Sequence, residues 1–80
     1  MFLEIITPDK KIFEGNIKQV RLPGSKGPFV ILKNHAPIIS TLEKGVLEVI
    51  EENGGEHLFE VSGGVIENKA DKIIALVETA

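Results

Sequence analysis

The chain has 80 residues, with twelve acidic and nine basic side chains, a net charge of −3, 42% hydrophobic residues and no cysteine. That length fits one domain, residues 1–80, with little room for a ligand cleft beside a packed core, and the lack of cysteine excludes disulfides, thiolate zinc sites and a cysteine nucleophile. Interspersed charge without a basic block, no Trp, no Tyr and only four Phe argue against nucleic acid as a partner.

The first run, Met1-Phe2-Leu3-Glu4-Ile5-Ile6, has no positively charged leader and is interrupted by Glu4, so it is not expected to be a signal peptide. No run approaches the roughly 20 apolar residues that span a bilayer as a helix, so membrane contact is expected only through partners. Apolar residues come instead in short runs rich in Val, Ile and Phe, separated by Pro, Gly, Asn and Asp, which is the pattern of strands and turns. Thr7-Pro8-Asp9-Lys10 places Pro second and Asp third, as a tight turn prefers, and Ile12 and Phe13 resume a strand.

After a break expected at Gly15-Asn16, the segment Ile17 to Leu22 reads as an alternating strand. Lys18, Val20 and Leu22 point one way; Ile17, Gln19 and Arg21 point the other. Leu22 to Pro28, with two prolines and two glycines, cannot continue a ladder and is expected as a compact surface loop. Phe29 to Leu32 is a strand, Lys33-Asn34-His35-Ala36-Pro37 a second polar connection, and Ile38 to Leu42 another strand. The two loops lie at opposite ends of the strand between them unless a bend reunites them.

Gly45 to Glu51 and Glu56 to Val61 flank Asn53-Gly54-Gly55, a strong hairpin signal because Asn and Gly tolerate positive φ. Ser62-Gly63-Gly64 predicts a bulge or a close backbone approach before Val65-Ile66-Glu67. Asn68 to Lys72 is a turn, and Ile73 to Val77 the last strand. The spacing predicts an all-β fold: a single antiparallel β-sandwich or flattened barrel of roughly eight to ten short strands.

Residue chemistry for catalysis is sparse. The only histidines, His35 and His57, have no metal-ligand spacing, and His57 is expected on the solvated face of its strand. Ser25, Ser40 and Ser62 have no evident base with an orienting acid. Gly24-Ser25-Lys26-Gly27 lacks the order of a phosphate loop and precedes a strand rather than a helix. The turn lysines Lys10, Lys26 and Lys69 lack the surroundings of a lipoyl or biotinyl carrier lysine. A non-catalytic protein without cofactor or metal is therefore expected, working by contact.

Pro23-Gly24-Ser25-Lys26-Gly27, Phe29-Val30-Ile31-Leu32 and Asn34-His35-Ala36-Pro37-Ile38-Ile39 together resemble the epsilon subunit of F-type ATP synthases. Gly45-Val46-Leu47, Phe59 to Glu67 and Ile74 to Ala80 continue the resemblance in the same order over essentially the whole chain. Val30 stands where many relatives have glycine, and Pro28 where an acidic or polar residue is common. The resemblance implies a central-stalk rotor subunit on the cytoplasmic face of a bacterial inner membrane, coupling the gamma subunit to the membrane c-ring. It implies that Ser25, Lys26, Gly27, Pro28 and His35 face the c-ring, and that Ala36, Pro37, Ile38, Ile39 and Ser40 contact gamma. It also implies that the family's inhibitory C-terminal helical hairpin, which follows the sandwich, is missing here. Ile38 and Ile39 are adjacent, so one of them must point outward or into a partner. A small all-β adaptor or carrier domain is the alternative.

Overall fold

The computed structural model describes residues 1–79. Seven strands are found within them: β1 Phe2–Ile6, β2 Lys11–Leu22, β3 Phe29–Leu32, β4 Ile38–Leu42, β5 Gly45–Glu51, β6 Glu56–Lys69 and β7 Lys72–Thr79. They follow the hydrogen-bonded order β1-β7-β6-β5-β2-β3, with β4 added to β6. A further β1–β2 pairing closes five of the strands into a flattened barrel. The β1–β7 pair is parallel and the remaining pairs are antiparallel.

The all-β sandwich is as expected, but seven strands replace the roughly eight to ten that turn spacing predicts. The difference lies in two long strands, β2 of 12 residues and β6 of 14. At about 3.3 Å per residue they would reach about 40 and 46 Å if straight, whereas the longest dimension of the molecule is 27 Å. Both therefore bend, and each serves two layers. The first part of β2 pairs with β1, so Gly15 and Asn16 lie inside a continuous strand opposite Leu3 and Phe2 rather than breaking it. Its second part pairs with β3 and β5. In the same way β6 passes from β5 to β4 and β7.

The bends coincide with register shifts. One falls between Ile17 and Gln19 on β2, and it corrects the expected alternation: Ile17 is buried together with Val20 and Leu22. The extra residue rotates Ile17 back into the core. The other shift falls between Val61 and Gly63, where the Ser-Gly-Gly segment predicts a bulge. A Cβ on Gly64 would lie 2.4 Å from the Leu76 carbonyl oxygen and 2.9 Å from Val77 Cα, so β7 can pass there only if residue 64 has no side chain.

Side chains from both layers interleave in the interior, including Leu3, Ile5, Val20, Ile31, Leu47 and Ile66, all fully buried. The hairpin after β5 forms as expected, but only Gly54 adopts positive φ, at 94°. Asn53 contributes through its side chain, whose Oδ1 accepts from the Gly55 amide at 2.8 Å. The β6–β7 hairpin is tighter, with Ala70 at φ 51° and Asp71 at φ 65°. Alanine is disfavoured in this left-handed region and asparagine tolerates it. Ala70→Asn is therefore expected to raise stability by about 0.5–1 kcal/mol, read as a melting-temperature increase of roughly 3–6 °C.

Barrel closure is reinforced by charge. Glu4 on β1 accepts from Lys11 of β2 at 2.8 Å and from Lys72 of β7 at 3.3 Å, and Lys11 also pairs with Glu14. Hydrogen bonds from Lys11 and then Lys72 hold the Glu4 carboxyl below its ordinary value of 4.5. The carboxylates of Glu14 and Glu4 in turn keep the Lys11 ammonium protonated well beyond the usual lysine range. Because folding favours ionised Glu4, its contribution is complete above pH 4.5 and fades as pH falls through the lower folded-state value. In Glu4→Gln, stability measured by urea unfolding should fall less steeply with acidification below pH 4.5 than in the wild type. Equal slopes would remove this role.

Candidate interaction surface

The Pro23–Pro28 loop is held against β4 at the far end from β3's exit. The Ser25 amide donates to the Thr41 carbonyl at 3.0 Å, the Thr41 hydroxyl donates to Ser25 Oγ at 2.8 Å, and Gly24 bridges to Leu42. The Glu43 amide donates to the Pro23 carbonyl at 2.8 Å, closing the other flank. Gly24 is required by crowding, since a Cβ there would lie 2.6 Å from both the Gly27 carbonyl oxygen and the Phe29 ring. Sequence reading flags the loop but not Thr41 as its anchor, because Ser25 and Thr41 lie 16 residues apart and meet only in the folded chain.

The loop and β4 enclose an open groove of about 640 Å³, lined by Gly24 to Phe29 on one wall and Ile38 to Thr41 on the other. Ser25, Lys26, Gly27 and Pro28 thus share one site with Ile38, Ile39 and Ser40. His35 does not join them. It sits at the other end of β3, a strand of four residues rising about 13 Å. There its amide donates to the Leu32 carbonyl at 3.1 Å, and Nδ1–H donates to the Ala36 carbonyl at 2.7 Å. Asn34 turns the chain there with φ 67°. Ala36 and Pro37 are exposed in the same connection.

The Ile38–Ile39 question is decided by β4 alternation. Ile38 packs against the core, whereas Ile39 is 73% exposed. Ile39 lies opposite Glu67, and Thr41 opposite Val65. Val65 pairs with Leu76, and Leu76 with Ile6. The outward face of β4, β6 and β7 therefore carries three exposed apolar side chains, Ile39, Val65 and Leu76. Val65 and Leu76 are absent from the sequence-based contact set, although the alternation of β7 around buried Ala75 and Val77 signals that Leu76 points out. Beside them Ile6, Pro8 and the Gly63–Gly64 backbone border an apolar hollow of about 510 Å³.

The other layer exposes Leu58 and Val46 next to Glu48 and Glu60. His57 departs from expectation only in the face it shares. It lies opposite buried Val49, where its ring is 5.3 Å from Phe13 and 6.2 Å from Phe59 between centroids and Nε2 is 2.9 Å from Glu51 Oε2, yet its side chain stays 41% exposed. Among the described residues, no group of three or more His, Cys, Asp or Glu is placed to hold a metal ion. The surface is thus built from apolar side chains and a pinned loop, which suits it to bind another protein.

Residues 1–80 match the family model described as ATP synthase, Delta/Epsilon chain, beta-sandwich domain. The chain belongs to this family. Two relatives of this delta/epsilon sandwich are the ATP synthase epsilon chains of Campylobacter hominis, 41% identical, and of Sulfurovum sp. strain NBC37-1, 38% identical. Each alignment covers 100% of this chain and 62% of the relative, so the delta/epsilon sandwich described here spans less than two thirds of their length. The fold is also that of a chain from the Euglena gracilis mitochondrial ATP synthase, with a TM-score of 0.87, 21% identity and coverage of 94% of this chain and 48% of that one. A chain from the central stalk and c-ring structure of the Tetrahymena thermophila mitochondrial enzyme gives a TM-score of 0.79 at 21% identity, covering 98% of this chain and 63% of that one. At that identity the likeness is one of fold.

Proposed function

We propose that the chain works as the epsilon sandwich in the rotor of an F-type ATP synthase, joining the gamma shaft to the membrane c-ring without chemistry of its own. The outward face of β4, with Ile39 at its centre and exposed Ala36 and Pro37 leading into it, takes gamma, while Ile38 and Ser40, on the strand's other side, position it. Ser25, Lys26, Gly27 and Pro28, with His35, take the polar loops of the c-ring. Val65 and Leu76 extend the gamma face. The protein then sits on the cytoplasmic face of a bacterial membrane, attached through these partners.

The observation that carries this reading is the 73% exposure of Ile39 on a strand whose other side is locked into the core. A large apolar side chain presented on a rigid sheet is stabilised when a partner covers it, by about 25 cal/mol for each Å² removed from water. Torque transfer needs a contact that does not slip and a body that deforms little. Close-packed layers tied by two shared strands supply that stiffness.

Co-expression with gamma and the c-ring tests the assignment. A one-to-one complex with gamma that also retains the ring is expected after affinity purification and gel filtration. A sandwich that elutes alone would return the chain to the class of adaptors with another partner.

A further inference from the structure

We propose that Asn68, on the interior side of β6, is a positioning residue: it fixes the connection between β3 and β4 from within, and so holds Ala36 and Pro37 in one arrangement beside Ile39. This rests on the reading that β4 takes gamma, and it adds a residue that touches no partner itself. Among the described residues Asn68 is the only polar side chain in the buried interior, at 4% exposure. It lies opposite Ile38 on β4 and opposite Ile73 on β7, two residues on from buried Ile66. The inward alternation of β6 calls for an apolar side chain at that place. A carboxamide there is costly unless it bonds.

Its bond goes to the connection. Asn68 Nδ2 donates to the Ala36 carbonyl at 3.5 Å, and the same carbonyl accepts from His35 Nδ1–H at 2.7 Å. The short bond stays within the connection, whereas the long one reaches it from a strand paired on both sides. Little else holds this segment to the sheet. Pro37 has no amide hydrogen to give, and a hollow of about 380 Å³ opens between Asn34, His35 and Pro37 on one side and Met1, Asn68 and Asp71 on the other. A bond of 3.5 Å adds little to global stability, but it suffices to choose among connection conformations that differ little in energy. With that choice made before gamma arrives, Ala36 and Pro37 lose less conformational freedom on docking.

Asn68→Leu tests this, because leucine keeps the branched shape and removes the donor. Its melting temperature should equal or exceed that of the wild type, since an apolar isostere in the interior removes a desolvation cost. The His35 amide, which donates to the Leu32 carbonyl at 3.1 Å, should exchange with deuterium about tenfold faster. Affinity for the gamma subunit of the same organism should fall roughly three- to tenfold. A purely structural Asn68 gives the opposite pattern, a lower melting temperature with gamma affinity of the folded protein unchanged, and that result would overturn the proposal. So would wild-type exchange at His35 together with wild-type affinity. Asn68→Val, smaller and equally apolar, is the second variant, and failure of both to fold would assign Asn68 to stability instead. If wild-type protein does not bind gamma, the docking reading fails and takes the affinity result with it, while His35 exchange still decides whether Asn68 holds the connection.

Discussion

Ile39→Asp is expected to abolish gamma binding while the sandwich stays folded. Ile39 is 73% exposed and belongs to no core contact, so the substitution changes little in the free domain. Its main cost there is a second acidic group opposite Glu67, worth a few tenths of a kcal/mol across an antiparallel pair. In the complex the carboxylate would be buried against an apolar partner surface without a counter-ion. Loss of an anchor combined with an unpaired charge amounts to a weakening of about 100-fold or more. Isothermal titration against gamma reads the binding, and circular dichroism melting reads the fold. Ile39→Gln, which adds no charge, should weaken binding less. Unchanged affinity in both variants would move the gamma contact away from β4.

Gly64→Ala is expected to be the most damaging single-methyl change in the chain. The added Cβ would meet the Leu76 carbonyl at 2.4 Å and Val77 Cα at 2.9 Å, and both neighbours are backbone in a paired strand. No rotamer change relieves such a clash, so β7 must move away from β6, loosening the interior around buried Val77 and Ile66. A loss of about 3 kcal/mol follows, or a fall of roughly 12–24 °C in melting temperature for a domain of this size. A stability of roughly 4–12 kcal/mol is ordinary for such a chain, so at the low end of that range Gly64→Ala would sit near the limit of folding. Gly63→Ala is the control. Its Cβ would have nothing nearer than 3.6 Å, and a change below about 1 kcal/mol is expected. Equal losses at the two glycines would show that bulge conformation, not crowding by β7, governs this site.

Several features were open to reading from local residues. The Ser-Gly-Gly segment announces its bulge because only small residues let two backbones meet, and Asn53-Gly54 announces a hairpin because the turn needs a residue at positive φ. The Ile38–Ile39 pair announces one outward isoleucine, since neighbours on a strand face opposite ways, but not which of the two it is. Ile17 misled because strict period-two counting does not survive a register shift, and the pairing that creates the shift lies with β5. His57 misled for a related reason: its direction follows Val49 on the neighbouring strand rather than the polarity of its own segment.

The interaction surface was legible in its parts and not in its assembly. Ser25–Pro28 and Ile38–Ser40 each stand out in the chain, yet nothing local joins them. Their common groove exists because Gly24 and Ser25 bond to Leu42 and Thr41, contacts between segments more than a dozen residues apart. By itself the sequence determined an all-strand domain, most of its turn positions and its family, since these depend on side-chain period, backbone permissiveness and residues read in order. Only the tertiary structure decided that two strands bend to serve both layers, which isoleucine faces out, and that the Ser25–Pro28 loop and β4 share one groove. Those facts depend on which strands pair and in what register, and pairing is settled by the packing of the whole core.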